Sequence, residues 1–101
     1  MSESITKPRI VTKPDLKEPS LFKVIYVNDD VTTAEFVIES LMVVFDHSFD
    51  DAVSITEEVD KTGSAVAAIL PYEMAEQKGV EVTQTARTAG FPLVIKLENL
   101  S

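Results

Sequence analysis

Apolar positions along the chain fall into blocks whose spacing changes from one segment to the next. "LFKVIYV", at 21–27, is dense in β-branched and aromatic side chains and predicts a strand. It stops abruptly at Asn28, Asp29 and Asp30. Thr32 and Glu35 then form a T-x-x-E pattern, the reciprocal signature of a capped helix start. Behind it, Phe36, Ile38, Leu41, Met42, Val44 and Phe45 include the i, i+3, i+4 recurrences of a largely buried helix over 32–46. Ser48 and Asp51 repeat the capping pattern, and Phe49, Ala52, Val53, Thr56 and Val59 carry a second helix toward the turn residue Gly63. "GSAVAAIL", at 63–70, is a short apolar run that predicts a second strand. Pro71 suits the first turn of a third helix, with Tyr72, Ala75, Val82 and Ala86 as its buried face and Gly90 as its stop. Gly79 sits inside that helix, where it is about 1 kcal/mol worse than Ala, and points to close packing or a local break. "FPLVIKL", at 91–97, closes the pattern as a strand, with Pro92 at its start, where a missing N–H is tolerated. The order β-α-α-β-α-β, with helices packed on one face of a small sheet, predicts a compact α/β domain of the α+β kind. Residues 1–20 hold Pro8, Pro14 and Pro19 and no clean period, which predicts a disordered, flexible N-terminal tail ahead of a single folded domain at 21–101.

Charge changes the picture more than size does. The 101 residues carry a net charge of −8, unevenly spread. Residues 1–20 hold four basic and three acidic groups, whereas 21–101 hold five basic and 14 acidic groups, a net −9. A body this acidic repels a phosphate backbone, so nucleic acid is not an expected partner. It favours cations, protonated amines among them, although acidity also serves solubility alone. With no Cys there is no disulfide frame, zinc–thiolate site or Cys nucleophile. No apolar run approaches the roughly 20 residues of a membrane span, and the N-terminus lacks an apolar signal core. A cytoplasmic location without membrane contact is the expectation.

The candidate chemistry narrows quickly. His47, the single histidine, lies between Asp46 and Ser48, but three successive residues do not face one another as a catalytic relay requires. A turn histidine is the simpler reading. Asn28, Asp29, Asp30 and Asp60 are hard oxygen ligands, yet their spacing fits no calcium loop, and no metal is expected. Asx residues also end strands and cap helices through their own backbone. Three in a row, with Thr32 already offering a cap, exceed that need. They place acceptors at one rim, beside which Val27, Val37 and Val59 would line an apolar recess. An acidic rim over an apolar recess suits an ammonium head with a hydrophobic side chain, as at a peptide N-terminus with a large first residue.

At this point "KVIYVNDDVTTAEFVIESL" resembles the signature of the ClpS family, adaptors that deliver N-degron substrates to the Clp AAA+ protease. "VDKTG", "PYEMAEQKG", "TARTAGFPL" and the terminal "LE" follow the same family pattern, so the resemblance covers about 21–98. It implies three helices on a three-stranded antiparallel sheet and no catalysis; no cofactor is expected, and a monomer is the default for an adaptor. It implies that Asn28 and Asp30, with Asp29 adjacent, contact a substrate α-amino group. It implies a side-chain pocket of Tyr26, Val27, Thr32, Ala34, Val37, Thr56, Val59 and Leu93. It implies contact with the N-terminal domain of a ClpA-type unfoldase near Glu73 and Lys78, and a tail that engages the unfoldase during hand-over.

Three positions depart from the family pattern. Asp60 stands where the family's third amine contact is a His. A carboxylate there either holds an ammonium more strongly, through charge-assisted bonds, or crowds Asp29 and Asp30 and raises one or more carboxyl pKa values. Ala34 and Thr56 stand where the family usually has methionines, the first of them a gate, which implies a wider and more polar pocket. The competing readings are a small acidic docking module like the ribosomal stalk protein's C-terminal domain, and a divergent paralogue that has lost N-degron binding. The stalk reading leaves the NDD loop without a purpose.

Overall fold

The computed structural model describes residues 19–100, so the tail expected over 1–20 lies almost wholly outside it. The elements run β1 (Leu21–Val27), α1 (Ala34–Phe45), α2 (Phe49–Thr62), β2 (Ser64–Pro71), α3 (Tyr72–Thr88) and β3 (Val94–Asn99). The three strands form one antiparallel sheet in the order β2-β1-β3. This is the β-α-α-β-α-β domain that the hydrophobic pattern predicts.

Strand parity sorts β1. Val24 and Tyr26 are fully buried under the helices, while Lys23, Ile25 and Val27 face the opposite side of the sheet. The register between β1 and β2 slips between Val24 and Ile25, which leaves Ala67 without a partner across the ladder. The Ala67 carbonyl instead accepts a 2.6 Å hydrogen bond from His47 Nε2. The single histidine therefore ties the α1–α2 turn to the bulged strand.

The core gathers Tyr26, Val37, Leu41, Val44, Val59, Val82 and Leu93 around small residues of the sheet and helices. Alanines at 52, 65, 67, 75 and 86 let the helices approach the sheet closely. Its buried hydroxyls, those of Tyr26, Ser40 and Thr56, are all hydrogen-bonded. Ser40 Oγ donates to the Val37 carbonyl at 2.8 Å and accepts from the Tyr26 hydroxyl at 2.7 Å. Burial pushes the Tyr26 phenol up to about 12, with the Ser40 bond pulling the other way.

Four local expectations need correction. The N-cap of α1 is Thr33, which accepts from Phe36 N–H, and not Thr32. The buried stripe of α1 is Val37, Ser40, Leu41 and Val44, while Met42 is exposed and Phe36, Ile38 and Phe45 are partly buried. Tyr72 is exposed, its ring edge-on to Phe22 at 5.1 Å. The last strand starts at Val94 because the preceding chain is spent on closing α3. Phe91 N–H bonds the Ala86 carbonyl at 2.8 Å, and Arg87 bonds the Phe91 and Leu93 carbonyls. The α2 boundaries follow the predicted signals, with Ser48 as N-cap and Gly63, at φ 95°, as the left-handed C-cap. Gly79 causes no break in α3. A Cβ there would meet Ile95 Cγ2 at 3.5 Å, an ordinary contact.

Candidate functional site

The loop from β1 to α1, the start of α1 and one side of α2 enclose a recess of about 330 Å³. Asn28, Asp29 and Thr32 approach from the loop, Ala34 and Val37 from α1, and Thr56, Glu57, Val59 and Asp60 from α2. The loop is held in place at both ends. Asn28 N–H donates to the Gly63 carbonyl at 2.9 Å, which ties the end of β1 to the C-terminus of α2. Asp29 then organises the turn: Oδ1 accepts from the N–H groups of Val31 (2.8 Å) and Thr32 (2.7 Å), and Oδ2 accepts from the Thr32 hydroxyl (2.8 Å).

Partial burial works to raise the Asp29 pKa. The three donated hydrogen bonds, reinforced by the charge of Arg87, outweigh it and leave the carboxyl below its ordinary value. The rise expected for a carboxyl crowded by Asp30 and Asp60 is not found at Asp29.

The floor and the rim differ in kind. Val37 and Val59 are buried, and Thr56 is buried with its hydroxyl donating to the Ala52 carbonyl at 2.7 Å. At the rim, the side chains of Asn28, Glu57 and Asp60 have no hydrogen-bond or ion-pair partner among the described residues. No Lys or Arg lines the recess. The arrangement can hold a cationic head at the rim and an apolar group on the floor.

Not every expected residue comes to this recess. Thr32, Ala34, Val37, Thr56 and Val59 line it, as do Asn28, Asp29 and Asp60. Tyr26 and Leu93 are fully buried in the core, since parity turns Tyr26 under the helices and Leu93 follows the closed end of α3. Val27, one residue further along β1, points to the open face of the sheet. Asp30 is exposed and does not line the recess; Asp29 does. Glu57 lines the recess without having been expected there, although its position one residue after Thr56 and three before Asp60 on α2 was the available signal.

The second expected surface divides as well. Glu73 is exposed in the first turn of α3. Lys78 is half-buried, and its Nζ donates to the Val44 carbonyl at 3.0 Å, at the C-terminal end of α1. Five residues apart on one helix, the two diverge by about 140° around the axis.

A three-stranded antiparallel sheet covered by three helices, with one polar-rimmed recess beside the first loop, defines a small α+β binding domain. A family model described as the ATP-dependent Clp protease adaptor protein ClpS matches residues 17–96. The chain is similar to the ATP-dependent Clp protease adapter protein ClpS of Wolinella succinogenes, 46% identical over 81 residues, covering 80% of this chain and 79% of that one. It is 43% identical over 96 residues to the Nautilia profundicola adapter of the same name, covering 94% and 98%. Among solved structures it resembles Agrobacterium tumefaciens ClpS2 bound to L-phenylalaninamide. That likeness has a TM-score of 0.78 and 38% identity, and covers 81% of this chain and 99% of that one. The chain belongs to the ClpS family of Clp protease adaptors.

Proposed function

We propose that this protein recognises substrate proteins by a free hydrophobic or aromatic N-terminal residue and delivers them to a ClpA-type AAA+ unfoldase of the Clp protease. The observation that carries the reading is the pairing of an apolar floor with a rim whose polar side chains are left without partners. Three acidic or amide side chains converge on an apolar floor with no Lys or Arg among them, which suits an ammonium head joined to an apolar side chain. The bound L-phenylalaninamide of the Agrobacterium relative has the matching chemistry, a free amine beside an aromatic side chain.

Asn28 and Asp60 accept hydrogen bonds from the α-ammonium, and Asp29 holds the loop that presents Asn28 while adding its charge. Asp30, outside the recess, contributes only to the field. The floor of Val37, Val59 and Thr56 takes the first side chain. Ala34 and Thr56 leave a wide entrance, and each ligand methylene buried there is worth about 0.8 kcal/mol. N-terminal Ile and Val peptides are therefore expected to bind better than N-terminal Gly, and equal binding would remove the wide-gate reading. The protein performs no reaction of its own. As a cytoplasmic monomer without a cofactor it raises the local substrate concentration at the unfoldase, through the surface around Glu73. Lys78 supports that surface from within α1–α3 packing.

The test is degradation of a fluorescent reporter bearing N-terminal Phe by the unfoldase and its protease. The reading predicts degradation that depends on this protein and is absent for a Gly-led reporter. Equal degradation of both reporters, or of the Phe-led one without this protein, would overturn it.

A further inference from the structure

Glu57 has no part in holding an α-ammonium as described above, yet it lines the same recess as Asp60. The two lie three residues apart on α2 and so share one side of the helix. Both are exposed, and neither is paired among the described residues. The ion pair seen among those residues, Lys23 with Glu98 at 3.6 Å, belongs to the sheet's open face. Asp29, the third carboxylate of the recess, is occupied by its own loop. One α-ammonium held at Asp60 leaves Glu57 as a free carboxylate at the mouth, able to attract a second cation.

The second cation has no place on the floor. A charged head pressed against Val37 and Val59 would lose water without gaining a partner. It is accommodated at the exposed mouth, where Glu57 stands and where the chain following a seated first residue must leave. We propose that Glu57 reads the second residue of the bound N-terminus, so that the preferred ligands carry a large apolar first residue followed by Lys or Arg. This rests on the reading that the recess holds a free N-terminus. An exposed charge pair of this kind changes affinity by about two- to fivefold and weakens as salt is added.

The experiment measures fluorescence-polarisation affinities for peptides beginning Phe-Arg, Phe-Ala and Phe-Glu, with N-acetylated Phe-Ala as control, at low and high salt. It is run on the full chain and on Glu57→Gln and Glu81→Gln, the latter removing the same charge from the exposed side of α3. The expected order is Arg tighter than Ala by about two- to fivefold and Glu weaker than Ala, the spread shrinking at high salt. Glu57→Gln collapses the spread and Glu81→Gln keeps it. Equal affinity for all three second residues overturns the inference, and so does an equal loss of spread in both variants, which would assign it to net charge. If acetylation abolishes binding while the second residue has no effect, this inference alone fails. If no peptide binds, or acetylation has no effect, the reading of the recess fails with it.

Discussion

The core and the recess lie against the same helix, α1, and treat polar atoms in opposite ways. In the core, Ser40 and Tyr26 are fully buried or nearly so, and every hydroxyl is engaged: Tyr26 to Ser40, Ser40 to the Val37 carbonyl. Two turns nearer the helix start, Asn28, Glu57 and Asp60 surround a cavity with their side chains unspent on any described residue. The buried hydroxyls must find partners inside the fold, whereas the exposed rim groups are bonded to water and stay free to exchange it for a ligand. Asp29 stands between the two regions. It lines the recess, yet three donors of its own loop hold it.

Mutations can break this contrast in order of expected size. Leu41→Ala empties a fully buried position in the core and should lower unfolding stability by about 2–5 kcal/mol in urea titrations. A loss below 1 kcal/mol would mean that the core is not packed as described. Asn28→Ala should act in the other sense, leaving stability within about 0.5 kcal/mol while weakening N-terminal Phe peptides by about 1.5–3 kcal/mol, the worth of a hydrogen bond to a charged group. A destabilised protein with unchanged affinity would place Asn28 with the structural residues.

Asp29→Ala tests the intermediate case. Loss of the loop's acceptor should destabilise by about 0.5–2 kcal/mol at neutral pH, by analogy with a helix cap. Folding lowers the pKa of this carboxyl below its ordinary value. Its stabilising contribution is therefore fully present above that value and is lost as pH falls through the lower, folded-state pKa. The stability difference between wild type and variant should be constant from neutral pH down to about 5 and narrow below the unfolded value. A difference that instead narrowed on raising the pH would contradict the hydrogen-bonding assignment. The smallest effect runs upward. Gly79→Ala meets only an ordinary contact with Ile95 and should stabilise by about 0.5–1 kcal/mol through helix propensity. Destabilisation would show that α3 sits closer to β3 than 3.5 Å suggests.

Much of the fold was legible because local signals and tertiary need agree. β1 begins and ends where the β-branched run does, and Ser48 and Gly63 bound α2 because each supplies the hydrogen bond or backbone conformation its position demands. The errors fall where a long-range partner decides. The T-x-x-E pattern favours Thr32 as the cap, but Asp29 captures Thr32 and the position falls to Thr33. Ser40 hid the buried stripe of α1, because a serine counts as polar until the Tyr26 hydroxyl opposite is known. Phe91–Leu93 have strand-like composition, but the end of α3 takes the Phe91 N–H and Arg87 takes the Phe91 and Leu93 carbonyls.

At the recess, the type of each residue was readable and its direction was not. The NDD run announced a polar rim, but which carboxylate turns inward depends on the loop, and the structure turns Asp29 inward and leaves Asp30 outside. Val27 and Tyr26 were placed together by proximity in sequence. The alternation of a strand puts one on the open face and the other in the core. Glu57 escaped notice because it matches no motif and gains its place only from the turn of α2.

The central claim is that the unpartnered rim of the recess exists to hold a free amine. The most direct measurement compares the affinities of an N-terminal Phe peptide and its N-acetylated counterpart by fluorescence polarisation. The account predicts binding of the free peptide and at least about a tenfold loss on acetylation, because a charge-assisted hydrogen-bond set of about 1.5–3 kcal/mol is removed. Equal binding of the two peptides, or binding of neither, would contradict it.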